Sequence, residues 1–252
     1  MRDITERKRV DEKLQRVNKE LEKRVQERTA EISKANEVLQ IEISERKHAE
    51  EALKGSYEKL QRALEGTIYA LASMVEKRDP YTAGHQQRVK TLACAIATEM
   101  GLPEEKIDGI RMIGVIHDLG KIYVPAEILS KPGQLDEAEF KMIRAHAKVG
   151  YDILKKVEFP WPIAQGIAQH HERIDGSGYP SGLLGENILL EAKIIGVADV
   201  FEAIASHRPY RPALGKDKAI EEISQKKGTL YDPEVVDACL RLFTVKGFNI
   251  EC

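Results

Sequence analysis

The stretch from Arg2 to about Leu64 restricts the fold of this chain more than any other. It has no proline and one glycine, Gly55, among many Glu, Lys, Arg and Gln residues, all of which favour helix. Apolar residues recur along it at steps of four and three, as in a coiled-coil seam. They are Val10, Leu14, Val17, Leu21, Val25, Ile32, Leu39, Ile43, Leu53, Tyr57, Leu60 and Leu64. We therefore predict one long helix over residues 1–64 that pairs in parallel as a homodimer; a solvated helix with no signalling role is the alternative.

After Leu64 the apolar content rises, and glycine and proline divide the sequence into short segments, which predicts a globular domain over residues 65–252. Helix start signals are frequent: Pro103 suits a first helical position, and Asp136 with Glu139 has the spacing of a capping box. No run alternates in polarity over five or more residues, so strands are not expected. The predicted fold class is all-α, a long coiled-coil helix followed by a helical bundle.

Composition excludes several classes of function. The net charge of −2 gives no electrostatic argument for a nucleic-acid polymer as partner. No stretch approaches twenty apolar residues, and the opening "MRDITERKRV" lacks the apolar run of a signal peptide, so we expect no membrane span, no export signal and a cytoplasmic protein. The three cysteines are odd in number and widely separated, which predicts neither disulfides nor a thiolate zinc site.

Five of the seven histidines lie at or near apolar helical faces or glycine-rich turns. They are His85, His117, His146, His170 and His171. Any one alone is more often an ordinary hydrogen-bonded histidine than a ligand. Five together with two inward-facing aspartates favour a metal site.

The two aspartates occupy helices with apolar faces. In "IDGIRMIGVIHDLGK" (107–121) a stripe of isoleucines points inward, so His117 and Asp118 can reach one buried point near the helix end. Gly120 is predicted to end that helix in a left-handed cap. In "LLEAKIIGVADVFEAIAS" (189–206) Asp199 faces inward in the same way. Because an isolated buried carboxylate is costly, both aspartates predict a cation or a strong hydrogen-bond network.

The number of candidate ligands indicates the type of metal site. Five imidazoles and two carboxylates exceed the three protein ligands of a common catalytic zinc, whereas two metals that share a carboxylate would use all seven. Nitrogen and oxygen ligands without thiolate favour iron, manganese or another divalent first-row metal. Two such metals can activate water and stabilise charge on a phosphoryl group.

Five motifs in order resemble the HD-GYP family, a branch of the HD phosphohydrolase superfamily, over nearly all of the globular domain. They are "YTAGHQQRV" (81–89), "HDLGK" (117–121), "HAKVG" (146–150), "HHERIDGSGYP" (170–180) and "ADVFEAIASHRPYR" (198–211). The resemblance implies an all-helical bundle that hydrolyses the bacterial second messenger cyclic di-GMP to pGpG, and in some members on to GMP. It also implies two divalent metals.

The resemblance assigns a role to each candidate ligand. One metal would be held by His85, His117, Asp118 and Asp199. Asp118 would bridge to a second metal held by His146, His170 and His171. His117, Asp118 and Lys121 would form the catalytic group.

Substrate contacts are implied in the same way. The positions that contact substrate phosphates in the family are occupied here by Lys121, Arg208 and Arg211. Tyr179 of the GYP turn would contact the ligand, and that turn is a candidate contact for partner proteins. A non-hydrolytic module that binds dinucleotide or protein, and an HD hydrolase of another cyclic dinucleotide, are the alternatives.

The sequence departs from the family pattern at particular positions. Tyr81 stands where some members have a glutamate that helps to hold a third metal, so a binuclear site is predicted. Glu202 replaces the usual aspartate, which could alter the support of a ligand. The opening "RDITERK" resembles the end of a PAS-type sensory domain where it passes into a signalling helix, which implies that this chain is the output part of a bacterial sensor.

Overall fold

The computed structural model describes residues 2–78, 84–131, 133–206 and 214–249, with side chains from residue 8 onward. These ranges contain nine α-helices, two 3-10 helices and no strand, which confirms the all-α class. The α-helices are α1 (Arg2–Glu76), α2 (His85–Glu99), α3 (Glu104–Ile116), α4 (Ala126–Leu129), α5 (Glu137–Leu154), α6 (Ile163–Gln169), α7 (Leu190–Ala205), α8 (Lys216–Gln225) and α9 (Pro233–Thr244). The 3-10 helices are Leu119–Tyr123 and Gly185–Asn187. None of the helices in the described ranges combines the length and apolar character needed to cross a bilayer.

The chain divides into two compact units, Met1–Leu64 and Glu65–Cys252. Helix α1 is longer than predicted, because it continues beyond Leu64 to Glu76. Its added turns have a reason in the sequence: Ile68, Ala72 and Val75 repeat at helical spacing and are buried in the core of the second unit.

The first unit leaves its apolar seam exposed. Leu39, the least exposed of the seam residues, is still 51% exposed. Ion pairs between Arg24 and Glu20 and between Arg46 and Glu50 lie one turn apart on the helix surface, and each contributes a few tenths of a kcal/mol. Pairing with a second copy stays a prediction.

In the second unit, α2 and α3 pack against each other and against α7. Fully buried side chains at the centre of the core include Leu92, Ile96, Ile110, Ile113, Ile194, Ile195 and Phe201. Helices α2 and α3 approach each other closely: a Cβ added at Gly114 would lie 2.8 Å from the Cα of Lys90. Such a tightly packed core fixes the positions of the helices that carry or precede the candidate ligands.

The predicted helix ends differ in accuracy. The capping box of Asp136 and Glu139 is confirmed at the start of α5. Pro103 is the N-cap of α3 and not its first residue, a difference of one position.

The left-handed cap predicted at Gly120 is wrong. Gly120 lies within the 3-10 helix Leu119–Tyr123 and is not among the glycines with positive φ. It is needed for space instead: a Cβ there would lie 1.9 Å from the carbonyl oxygen of His146. This close approach brings the segment after α3 against α5.

Candidate metal centre

The structure brings all seven candidate ligands together inside the second unit. His85 is the first residue of α2, His117 and Asp118 follow α3, and His146 lies on α5. His170 and His171 follow α6, and Asp199 lies on α7. All are buried except His171, which is partly exposed.

The ligand atoms form two groups. His85, His117 and Asp199 form the acid-rich cluster, and His146, His170 and His171 form the imidazole cluster. Within each cluster the ligand atoms lie within 4.8 Å of one another, close enough to share one ion.

Asp118 lies between the two clusters. Its Oδ2 is 3.9 Å from His85 Nε2 and 3.6 Å from His117 Nε2. Its Oδ1 is 3.5 Å from His146 Nε2. One carboxylate oxygen therefore faces each cluster, as the shared carboxylate predicted from the sequence requires. Lys121 Nζ also donates to Oδ2 at 2.7 Å.

Three of the imidazoles are held in the same tautomer. The Nδ1 atoms of His117, His146 and His170 lie 2.9, 2.6 and 2.6 Å from the carbonyl oxygens of the residues three positions earlier. A carbonyl can only accept, so each Nδ1 carries a hydrogen, and in the neutral imidazole the lone pair is then on Nε2. The three Nε2 atoms are thus prepared to bind a metal.

The lone pairs in the centre need a positive partner. His146 Nε2 and His170 Nε2 face each other at 3.3 Å, although in this tautomer both are acceptors. His117 Nε2 is buried, and among the described residues it has no hydrogen-bond partner. Because a buried acceptor without a donor is unfavourable, these atoms fit metal ions well.

The two clusters differ in charge. In the imidazole cluster, burial lowers the pKa of His170 to about 3 and lowers the pKa of His146 and His171 as well. In the acid-rich cluster, burial also lowers the pKa of His85, but hydrogen bonds to Asp199 and Glu202 outweigh it and raise that pKa to about 9. Three histidines are therefore neutral at pH 7, while His85 is protonated.

Both aspartates are ionised despite their burial. Burial raises the pKa of Asp118, but nearby positive charges, that of Lys121 first, outweigh it and hold the pKa well below its usual range. Asp199 behaves in the same way through its hydrogen bond to His85. Two buried anions and a set of neutral imidazoles are suitable ligands for divalent cations.

Glu202 supports His85 from the side away from Asp199. It is 1% exposed, its Oε2 contacts His85 Nδ1, and its Oε1 accepts a hydrogen bond from Arg88 Nε at 2.7 Å. Burial raises the pKa of Glu202, but His85 and Arg88 outweigh it and lower that pKa to about 2. Glu202, which replaces the usual aspartate of the family, is thus a charged partner of His85.

The turn that contains Tyr179 lies against the imidazole cluster. The Tyr179 ring stacks on His171 with a centroid distance of 4.7 Å. Glu172, which is 5% exposed, accepts hydrogen bonds from the backbone N–H groups of Ser181 at 2.7 Å and Leu183 at 2.9 Å. Glu172 therefore ties the turn to the segment that carries the two histidines.

Sequence reasoning missed two residues near this turn. Glu172 directly follows His170 and His171 in "HHE", a position from which a buried carboxylate could have been suspected. Arg144 lies two residues before His146, and its guanidinium carbon is 5.2 Å from the centre of the Tyr179 ring. No sequence signal connects Arg144 with Tyr179, because their contact depends on how the turn folds back over α5. Two predicted phosphate contacts, Arg208 and Arg211, lie outside the described residues, as does Tyr81.

The fold and this arrangement agree with a family match. Residues 69–235 match the family model described as HD domain. The chain therefore belongs to the HD domain family, and the HD-GYP resemblance of its motifs is confirmed.

The chain is similar to several curated proteins. It is 41% identical over 194 residues to the cyclic di-GMP phosphodiesterase response regulator RpfG of Xanthomonas campestris, covering 76% of this chain and 51% of that protein. It is 42% identical over 174 residues to a cyclic di-GMP phosphodiesterase of Thermotoga maritima (68% and 47%). It is 39% identical over 171 residues to the 3'3'-cGAMP-specific phosphodiesterase 3 of Vibrio cholerae (68% and 37%). The chain thus spans about half or less of the length of these relatives.

Solved structures share the fold. The HD domain of the L. monocytogenes phosphodiesterase PgpH, in complex with cyclic-di-AMP, has a TM-score of 0.51 at 20% identity and covers 70% of this chain and 96% of that chain. An HD-GYP-type protein of Bdellovibrio bacteriovorus, Bd1817, has a TM-score of 0.52 at 17% identity and covers 63% of this chain and 51% of that chain.

Proposed function

We propose that this chain is a metal-dependent phosphodiesterase that hydrolyses cyclic di-GMP to pGpG, with a second cleavage to GMP left to the test below, as the output part of a bacterial signalling protein. The observation that carries the proposal is the position of Asp118, with one oxygen toward each cluster. Relatives named as cyclic di-GMP phosphodiesterases at 41% and 42% identity support the same reaction and substrate.

The metals we propose are two divalent ions, iron or manganese, because all seven ligands offer nitrogen or oxygen and none offers sulfur. The acid-rich cluster would hold one ion and the imidazole cluster the other, with Asp118 between them. When bound, such ions activate water and neutralise charge on the phosphoryl oxygens.

The residues of the chain prepare the site for this reaction. Backbone carbonyls bond to Nδ1 of His117, His146 and His170, so that the Nε2 atom of each points inward. Glu202 contacts Nδ1 of His85 and orients that imidazole in the same way. Lys121, close to Asp118, adds a positive charge where the phosphate would lie. Arg208 and Arg211 would add further contacts to the phosphates, since a guanidinium can bind phosphate through two hydrogen bonds.

Tyr179 and Arg144 are suited to the other part of the substrate. The Tyr179 ring stacks on His171, and Arg144 lies near both Tyr179 and Phe140, with its guanidinium carbon 4.4 Å from the centre of the Phe140 ring. Flat rings and a guanidinium are groups on which a nucleobase can stack. Burial raises the pKa of Tyr179, so its hydroxyl stays protonated and can donate a hydrogen bond at neutral pH.

The test begins with protein purified without chelator. Metal content is measured first, and then the hydrolysis of cyclic di-GMP with added Mn(II) or Fe(II), with 3'3'-cGAMP and cyclic-di-AMP as competing substrates. We expect about two metals per chain and linear products from cyclic di-GMP. Asp118→Ala should abolish turnover, while the matched control Asp152→Ala, an exposed aspartate on α5, should not change it.

Each other outcome identifies a different function. Preferred hydrolysis of 3'3'-cGAMP would assign the chain to the activity named for its Vibrio cholerae relative. Bound metal and bound dinucleotide without product would indicate the non-hydrolytic module. Accumulation of pGpG without GMP would limit the reaction to the first cleavage.

We further propose that residues 1–64 form a homodimer through the exposed apolar seam of α1. A lone helix cannot bury such a seam, whereas a parallel coiled coil can. Light scattering of the full chain should give the mass of a dimer, and a chain without residues 1–60 should be smaller than a dimer. A truncated chain that stays dimeric at the same rate of hydrolysis would contradict both the dimer interface and a signalling role for α1.

A partner protein at the GYP turn and a cytoplasmic location complete the proposal. Leu184 beside the turn is 53% exposed and offers an apolar contact. A substrate made from nucleotides suits the cytoplasm. Crosslinking from a photoreactive residue at Leu184, and fractionation of cells that express the chain, test these two points.

A further inference from the structure

Two pairs of charged residues meet where α2 packs against α7. His85 and Arg88 are three residues apart on α2. Asp199 and Glu202 have the same spacing on α7. Residues three apart lie on one face of a helix, so each helix presents a pair of side chains to the other. One member of each pair, His85 and Asp199, belongs to the acid-rich cluster.

Three contacts join the two pairs. His85 Nε2 lies 3.2 Å from Asp199 Oδ1, and His85 Nδ1 contacts Glu202 Oε2. The other oxygen of that glutamate, Oε1, accepts a hydrogen bond from Arg88 Nε at 2.7 Å. The two oxygens of Glu202 therefore have different partners on α2, an imidazole for one and a guanidinium for the other.

The structure makes room for the guanidinium at this place. A Cβ added at Gly84 would lie 2.7 Å from Arg88 Nη1, so the side chain of Arg88 turns back over the backbone just before His85. The Arg88 side chain is 20% exposed and that of Glu202 is 2% exposed. A guanidinium is planar and more weakly hydrated than an ammonium group, which suits a largely buried ion pair.

A glutamate at position 202 depends more on such a partner than an aspartate would. Its side chain has one more rotatable bond, and each freely rotating bond must be fixed at a cost in entropy. The bond from Arg88 holds one oxygen of the carboxylate, which leaves the other oxygen directed at His85 Nδ1. The orientation of a metal-binding imidazole is set by the partner of its other nitrogen.

We propose that Arg88 is a positioning residue that holds His85 in the acid-rich cluster by fixing the carboxylate of Glu202. This inference rests on the proposed function, because it concerns the metal that His85 would bind. It assigns to Arg88 a role at the metal and not at the phosphates of the substrate.

The test titrates full-length chains with Mn(II), starting from metal-free protein. Arg88→Met keeps an apolar side chain of similar length but cannot donate to Glu202. We expect it to bind one of the two ions about 10-fold more weakly, as is typical when support of a ligand is removed, and the other as in wild type. The affected ion should be the one lost in His85→Ala, and hydrolysis should recover with excess Mn(II).

The sign of this effect separates positioning from simple electrostatics. Loss of a positive charge near the centre would by itself strengthen the binding of a cation, whereas loss of positioning weakens it. Arg88→Lys keeps the charge and a donor, so its affinity should lie closer to that of wild type. The matched control is Arg241→Met. Arg241 Nε donates to Glu99 Oε1 at 2.8 Å at the far end of α2, so both ions should bind this variant as they bind wild type.

A double-mutant cycle tests whether Arg88 acts through Glu202. In a Glu202→Ala chain the carboxylate is already absent, so adding Arg88→Met should change the affinity by no more than about twofold. An equal loss with and without Glu202 would overturn the inference, because Arg88 would then act by another route.

Two further results would contradict the inference in different ways. A folded Arg88→Met chain that binds both ions as tightly as wild type, or more tightly, would overturn the inference alone. If Arg88→Met does not fold, Arg88→Ala is titrated with the same expectation. Wild-type protein that binds no ion would overturn the proposed function and the inference with it.

Discussion

The acid-rich cluster and the imidazole cluster both lie largely inside the protein, but the pKa values of their histidines are shifted in opposite directions. In the imidazole cluster, where carboxylates are fewer, burial lowers the pKa of His170 to about 3. In the acid-rich cluster, Asp199 and Glu202 outweigh burial and raise the pKa of His85 to about 9. The neighbours of a buried histidine, and not its burial alone, therefore decide whether it must lose a proton before it can bind a metal.

The largest expected effect comes from removing one cluster at a time. His170→Ala should weaken the ion of the imidazole cluster by on the order of 100-fold or more, since a direct ligand is lost, and should leave the other ion bound. His85→Ala should do the reverse, and Asp118→Ala should weaken both. Metal content after dialysis measures this directly. Loss of both ions in each histidine variant would mean that the two clusters are one site.

The second prediction concerns the pH dependence of metal binding. His85 is mostly protonated below about pH 9, so binding at the acid-rich cluster must release that proton. Between pH 6.5 and 8.5 the affinity there should rise about tenfold for each pH unit, which corresponds to one proton. The imidazole cluster, with its lowered pKa values, should show little change over the same range. Mn(II) titrations at three pH values test this; equal slopes for the two ions would contradict it.

The third prediction concerns the stability of protein stripped of metal by a chelator. The pKa of His85 is raised, so the stability it contributes is complete below pH 6.5 and is lost as the pH rises toward 9. The pKa of His170 is lowered, so the stability it contributes is complete above pH 6.5 and is lost as the pH falls toward 3. The free energy of unfolding should therefore be highest near pH 6.5, with losses of a few kcal/mol on either side.

Thermal melts of two variants separate the two contributions. His85→Gln should flatten the alkaline side of the curve, and His170→Gln should flatten the acid side. A stability curve that keeps its shape in both variants would show that the two histidines are not the groups responsible.

The sequence allowed much of the fold and of the centre to be predicted. The long helix, the all-α class and the convergence of the seven candidate ligands follow from periodicity, from residue types and from the family motifs. Even the difference at Glu202 could be noted, although its direct contact with His85 could not. These features depend on local spacing, which a sequence displays.

What could not be predicted depends on contacts between distant segments. The role of Gly120 follows from the carbonyl of His146 on α5, so the glycine was interpreted as a helix cap when it provides space. The carboxylate of Glu172 bonds to a turn that folds back on its own segment, and the chain order alone does not show this.

The smallest effect we predict is at Glu172, on the turn beside the imidazole cluster. Glu172→Ala would leave the backbone N–H groups of Ser181 and Leu183 without their acceptor, at a cost of about 1–3 kcal/mol in stability. The turn should then hold Tyr179 less firmly against His171, which raises the KM for cyclic di-GMP several-fold while both metals stay bound. Steady-state kinetics and metal content measure the two effects, with Glu186→Ala as an exposed control. A loss of metal with unchanged KM would instead mean that Glu172 supports the ligands and not the turn, and that the imidazole cluster, like the acid-rich one, depends on a carboxylate behind its histidines.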